Sequence, residues 1–270
     1  MPDSAMIEEQ DTLILQTLEQ FLERDVRPHV MELEHNDTWP EEIVYKMAEL
    51  GLFGAIIDEE YGGLGLPCAT YAKICEKVAH TWMSLAGIFN SHLIMASAVQ
   101  RFGTDEQKKK WLPKFATGEL RGGIALTEPN CGTDLQSIRT RAAKDGDDYI
   151  INGTKTWISN GIHAHVMAIL TKTDWEIEPR HRGISLFLVE KGTPGFSLGQ
   201  RIKGGVHRRL ASCDRQRHGA FTMVPGVPDA GLDPGDRAVA QLQVLDPVGA
   251  GGDIDADGLR AMAHAASFWK

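Results

Sequence analysis

Ala125-Leu-Thr-Glu-Pro-Asn-Cys-Gly-Thr-Asp134, followed by Asn152-Gly-Thr-Lys-Thr-Trp-Ile-Ser-Asn-Gly161, decides the reading of this chain. In the first stretch Pro129 and Gly132 force a turn, and Thr127, Thr133 and Asp134 set short polar groups along it. Backbone N–H groups and hydroxyls on such a turn can cradle a polar ring edge or a phosphate. In the second stretch Asn152-Gly153 is a strong signal for a type I′ hairpin turn. Beyond it, period-two alternation predicts a strand with Trp157 and Ser159 on one side. An indole two residues from a hydroxyl suits a flat heteroaromatic ring with polar edges. The alternative is that the threonines only stabilise a turn and Trp157 only fills core.

Upstream of this pair of segments the chain reads as helices. Ile7, Ile14, Leu18, Leu22 and Val26 recur at helical spacing. Thr38 is the expected N-cap of a second helix, with Pro40, Glu41 and Glu42 in its first turn and Gly51 ending it. Tyr61-Gly-Gly-Leu-Gly65 reads as a loop in which backbones approach closely. Helices are predicted over Thr70 to Met83 and Ser91 to Phe102, and Thr104-Asp-Glu-Gln107 has capping-box form at the start of another.

After Gly118 the period changes. Gly123 to Leu126, Arg139 to Lys144, Tyr149 to Ile151, Lys155 to Ile158, Val166 to Thr171, Ile184 to Val189 and Phe196 to Ile202 read as strands separated by turn residues. The fold class is therefore α+β. An α-helical domain (1–120) precedes an incomplete, β-barrel or sandwich-like middle domain (121–203). From Gly204 the composition shifts. No glutamate follows Glu190, and the only lysine after Lys203 is Lys270. Apart from a weak alternation near Val239 to Leu245, neither period persists. Residues 204–270 are expected to form a disordered tail, since so little patterned apolar surface cannot offset the entropy of ordering. The tail's Ala, Gly, Asp, Arg and Pro bias fits a GC-rich coding strand read out of frame.

A formal net charge of −9 argues against a nucleic-acid partner. No secretory leader is read at the start. The longest apolar run, Leu85 to Val99, is broken by Asn90, Ser91 and His92, which argues against a membrane span. Cys68, Cys75, Cys131 and Cys213 have no metal-like or redox spacing, which reads as reduced thiols in a cytoplasmic protein. His163 and His165 lack a visible third ligand, so no metal site is assigned.

The two opening segments, with Gly51-Leu-Phe-Gly54, Glu60-Tyr-Gly-Gly-Leu-Gly65 and Gly195-Phe-Ser-Leu-Gly199 at matching spacings, resemble the acyl-CoA dehydrogenase family from about Met6 to Lys203. Cys131 departs from the family's usual small residue, and Asp58 from its frequent proline. The resemblance implies an FAD-dependent enzyme that oxidises an acyl-CoA thioester to the 2-enoyl-CoA and passes electrons to an electron-transferring flavoprotein. It implies flavin contacts from Ile124, Ala125, Leu126, Thr127, Gly132, Thr133, Trp157, Ile158 and Ser159. Among these, Thr127 would bond the pyrimidine end, Trp157 would pack on the ring, and Ser159 would lie near N5. Thr133 would also touch the acyl-CoA. The family's glutamate base lies beyond the β-domain, where this chain has no glutamate, and Glu128 is not used as the base. No residue is assigned as catalytic, and the chain is expected to lack turnover by itself. The family's homo-oligomer interface lies largely in its C-terminal helical bundle, of which no trace is read. Two other readings stay open: a non-catalytic flavin- or acyl-CoA-binding fragment, and an acyl-CoA oxidase or nitroalkane oxidase relative.

Overall fold

The computed structural model describes residues 4–146, 148–198, 221–223, 239–240 and 243–245; for residues 4–10 and from 221 onward it describes backbone alone. Helix α1 (Ser4–Phe21) gives way to a π turn over Leu22–Val26 and a 3₁₀ turn over Arg27–His29, then α2 (Val30–His35) resumes. Pro28 explains the break, because its ring displaces the preceding turn and it has no N–H to return to that turn. The expected stripe still holds at its end, with Leu22 and Val26 buried.

Helix α3 (Glu41–Glu49) starts one residue after Pro40, which occupies the cap position with no side-chain hydrogen bond. Thr38 is therefore not the N-cap. Pro40 has no N–H to satisfy and pushes Trp39 out of helical geometry. At the other end Gly51 takes the expected left-handed conformation, φ 73°. Helices α4 (Cys68–Thr81), α5 (Met83–Phe102) and α6 (Asp105–Ala116) complete the helical part. The Thr104 capping box forms as expected: Gln107 N donates to Thr104 Oγ1, and Thr104 N to Gln107 Oε1.

The small residues at 54 and 63 are required by close approach. A Cβ on Gly63 would stand 2.0 Å from the Ile57 carbonyl oxygen, and one on Gly54 2.8 Å from that of Ala116. Gly63→Ala is expected to cost about 2 kcal/mol, since backbone must move to admit the methyl. Urea denaturation of the variant checks this; an unchanged midpoint would contradict it.

The strands are β1 (Gly122–Ala125), β2 (Arg141–Asp145), β3 (Asp148–Asn152), β4 (Thr154–Lys155), β5 (Val166–Lys172), β6 (Ile184–Glu190), β7 (Phe196–Leu198), β8 (Phe221–Met223), β9 (Val239–Ala240) and β10 (Gln243–Leu245). One sheet runs β10-β6-β5-β2-β3-β9, with β1 also parallel to β5, and a second runs β4-β8-β7. The arrangement is α+β, with helices first and a mixed two-sheet region after. Three of these strands lie beyond Gly204, where strands were not expected; β9 and β10 coincide with the alternation near Val239 to Leu245. Otherwise residues 204–270 lie outside the described residues.

Asn152-Gly153 does not make a hairpin. β3 pairs with β2 and β9, whereas β4 pairs with β8 in the other sheet, so the chain passes between sheets at Gly153. There a Cβ would stand 2.4 Å from Thr140 Oγ1, so glycine serves close packing at a corner.

The central strands bury both faces, which is why β5 and β6 read as continuous apolar runs. Val166, Ala168, Leu170, Ile184, Leu186 and Leu188 join the core shared with the helices. Met167, Ile169, Phe187 and Val189 join Ala125, Ala142, Ile151 and Ile158 in a second core. The apolar run in α5 is core of the same kind. It packs on β1, where Gly122 and Gly123 let Met95 and Ser91 approach the strand. At this junction His92 is fully buried. Its Nδ1 accepts from Gly122 N (3.2 Å), so Nε2 carries the proton and donates to Phe115 O (3.1 Å). Burial pushes its pKa down to about 4.

Candidate functional site

The first segment leaves β1 at Ala125 and folds into a tight loop. Glu128 N donates to Cys131 O (2.8 Å) and Cys131 N to Glu128 O (3.2 Å), with Pro129 and Asn130 at the tip. Cys131, the departure from the family pattern, is buried, and its thiol donates to Asp134 O (2.7 Å). Gly132 and Thr133 are exposed on the following stretch. Ile124 and Thr127 are half-buried; Ala125 and Leu126 are buried.

The second segment runs alongside the first. Thr156 N donates to Thr127 O (2.8 Å), and a Cβ on Gly123 would stand 2.9 Å from Ser159 O. The structure thus brings Thr127, Trp157, Ile158 and Ser159 together, while Gly132 and Thr133 sit farther along the loop. The expected strand from Lys155 to Ile158 ends at Lys155. Trp157 has φ 62°, and Ser159 lies in a turn. Period-two alternation therefore does not set the side of Trp157. The residue is 44% exposed, so it is not core filling.

Two groups missed in the sequence hold the segments together. Lys155 is 0% exposed and Glu128 6%. Lys155 Nζ donates to Glu128 Oε1 (2.8 Å) and to Leu126 O (2.9 Å). Glu128 also accepts from Arg139 N (2.6 Å) and Thr140 N (2.9 Å). Burial by itself pushes the Glu128 carboxyl up, but the bonds from Lys155, Thr140 and Arg139 outweigh it and hold it below its ordinary value. Burial pushes Lys155 down, and the Glu128 carboxylate offsets this only partly. Farther on, Asn160 Nδ2 donates to Ile88 O (2.7 Å) and Gly122 O (2.9 Å). A buried Lys and Glu from different segments give no local pattern. The only local signal is that one of each lies within the two segments.

A cavity of about 650 Å³ opens beyond the loop tip, lined by Asn130, Cys131, Arg139, Arg141, Asn152 and Trp175 among others. It includes none of Thr127, Thr133, Trp157 and Ser159, so it is separate from the expected contacts. His163 stacks on Trp39 (3.7 Å between centroids), and His165 Nδ1 accepts from Arg121 N (3.0 Å). Among the described residues no helix is long and apolar enough to cross a membrane.

Comparison with known proteins places this arrangement. Residues 8–119 match the acyl-CoA dehydrogenase N-terminal domain, and residues 123–215 the acyl-CoA dehydrogenase middle domain, past Lys203. The (2S)-methylsuccinyl-CoA dehydrogenase of Cereibacter sphaeroides is 40% identical over 204 residues, 72% of this chain and 37% of that protein. The acyl-CoA dehydrogenase structure from Geobacillus kaustophilus superposes with a TM-score of 0.76 at 35% identity, over 94% of this chain and 61% of that one. An acyl-CoA dehydrogenase complexed with FAD from Bacillus anthracis gives 0.63 at 34% identity, over 72% of this chain and 34% of that one. The chain belongs to the acyl-CoA dehydrogenase family. It spans 37–51% of the length of curated relatives that it matches.

Proposed function

We propose that this chain supplies the flavin-facing part of an FAD-dependent acyl-CoA dehydrogenase, which converts an acyl-CoA thioester to the 2-enoyl-CoA. The observation that carries the reading is the exposed Trp157, one residue beyond the Thr156 N–Thr127 O bond that joins the two segments. The local chemistry fits the cofactor. Between Thr127 and Trp157, the buried Thr156 Oγ1 has no hydrogen-bond partner among the described residues. An exposed aromatic residue adjacent in sequence to an unpaired hydroxyl supplies the kinds of group a polar-edged ring system needs.

FAD, when bound, supplies the acceptor for the substrate hydride. The chain's own residues bind and orient. Ile124, Ala125 and Leu126 would line the ring, Thr127 would hold its pyrimidine edge, and Trp157 and Ile158 would form the platform. Ser159 would reach N5, Gly132 and Thr133 would also lie along the flavin, and Thr133 would touch the acyl-CoA. Glu128 is not the base in this reading, because Lys155, Arg139 and Thr140 take up its carboxylate. Residues 1–120 and 121–203 act as the helical and β units. An electron-transferring flavoprotein as acceptor, a homo-oligomeric assembly and a cytoplasmic location belong to the same proposal.

The test is reconstitution with FAD followed by gel filtration. The chain should elute with bound flavin, and Thr127→Ala should weaken binding by about 1–3 kcal/mol, the usual cost of an unpaired buried polar group. A chain that elutes colourless overturns the proposal.

A further inference from the structure

We propose that Lys155, Glu128 and Asn160 form a positioning set that holds Trp157 in a left-handed backbone conformation, so that its indole stands ready before any ligand arrives. The inference rests on reading Trp157 as the flavin platform, and it assigns roles to three residues that the platform itself does not explain.

Bulky L-residues avoid positive φ, and Trp157 sits at 62°. Burial does not hold it there, because the residue is 44% exposed. The hold comes from both flanks. Before it, Thr156 N is bonded to Thr127 O, and the fully buried Lys155 ammonium bridges Leu126 O and the Glu128 carboxylate. Glu128 is itself fixed by the amides of Arg139 and Thr140, just ahead of β2. After it, Asn160, also left-handed at φ 65°, donates to Ile88 O on α5 and Gly122 O on β1, and its carbonyl accepts from Ala164 N (2.7 Å). Residues 156–159 are thus pinned on one side by the buried Lys155–Glu128 pair and on the other by the half-buried Asn160, which reaches α5 and β1. An exposed aromatic side chain on a strained residue gives the fold little in return. Such strain persists only where the surroundings over-determine it, and it concentrates at ligand sites. A platform fixed in advance avoids the ordering cost that a ligand would otherwise meet on binding.

The experiment uses the full chain, with FAD as the probe, in three forms: wild type, Trp157→Gly, and the paired change Glu128→Leu with Lys155→Met. The paired change removes both charges together, which a fold tolerates far better than loss of one. Glycine at 157 relieves the strain, so the urea midpoint of the FAD-free chain should rise while FAD binding weakens by about tenfold or more. In the paired variant, amide exchange should speed up by about tenfold or more at residues 156–160 but stay unchanged in α4 and α5. FAD should bind it correspondingly less tightly, although Thr127, Trp157 and Ser159 are intact. A lower midpoint in Trp157→Gly shows that the indole supports the fold and overturns the proposal, as does unchanged protection of 156–160 in the paired variant. If wild type binds no FAD, the flavin reading fails. The midpoint and the exchange still decide whether these residues position Trp157. Should the paired variant not fold, the Trp157→Gly midpoint decides it.

Discussion

Lys155→Met is expected to destabilise the chain by about 3–5 kcal/mol. The ammonium it removes is 0% exposed and bridges Leu126 O and Glu128. Its loss leaves a buried carboxylate with only the Arg139 and Thr140 amides, and orphans a buried carbonyl. Glu128→Leu combined with Lys155→Met should cost far less than Lys155→Met, because no uncompensated charge remains. Urea denaturation of the variants, compared at equal slope, checks this. If Lys155→Met costs under about 1 kcal/mol, the pair behaves like an exposed surface ion pair and its structural role is wrong.

Acid should destabilise the chain in a window set by His92. This imidazole is neutral and fully buried, with its pKa near 4 against an ordinary 6.5. The folded state therefore binds a proton less readily than the unfolded one. Stability is fully present above pH 6.5 and is lost as pH falls toward 4, by up to about 3 kcal/mol for a shift of this size. Protonation of Nδ1 would also remove the acceptor for Gly122 N and so loosen the α5–β1 junction. His165 is shifted the same way, chiefly by burial, and adds to the slope with the same sign. Urea midpoints at a series of pH values should show the fall in wild type and a much flatter profile in His92→Gln. Equal slopes would show that His92 does not set the window.

The helices, the long strands and the family were legible because each leaves a local trace. Examples are the Thr104 capping box, the left-handed Gly51 and the unbroken apolar runs of β5 and β6. What failed did so for non-local reasons. Asn152-Gly153 has the composition of a hairpin turn, but the strands on either side pair in different sheets, and the glycine serves close contact with Thr140. Thr38 has the composition of a cap, but Pro40 removes the need for one. Within the candidate site, the two segments that the structure brings side by side carry the motifs. The left-handed turn at Trp157 was not legible in them, nor was the Lys155–Glu128 bridge that flanks it. A buried charge pair is visible only when two distant segments are brought side by side.

Equilibrium titration of the chain with FAD, in wild type and Trp157→Ala, tests the central claim most directly. The account predicts saturable binding by wild type and binding weaker by about tenfold or more in the variant, with no loss of folded stability. Equal affinity in the two proteins would contradict it, and the cradle would lie elsewhere.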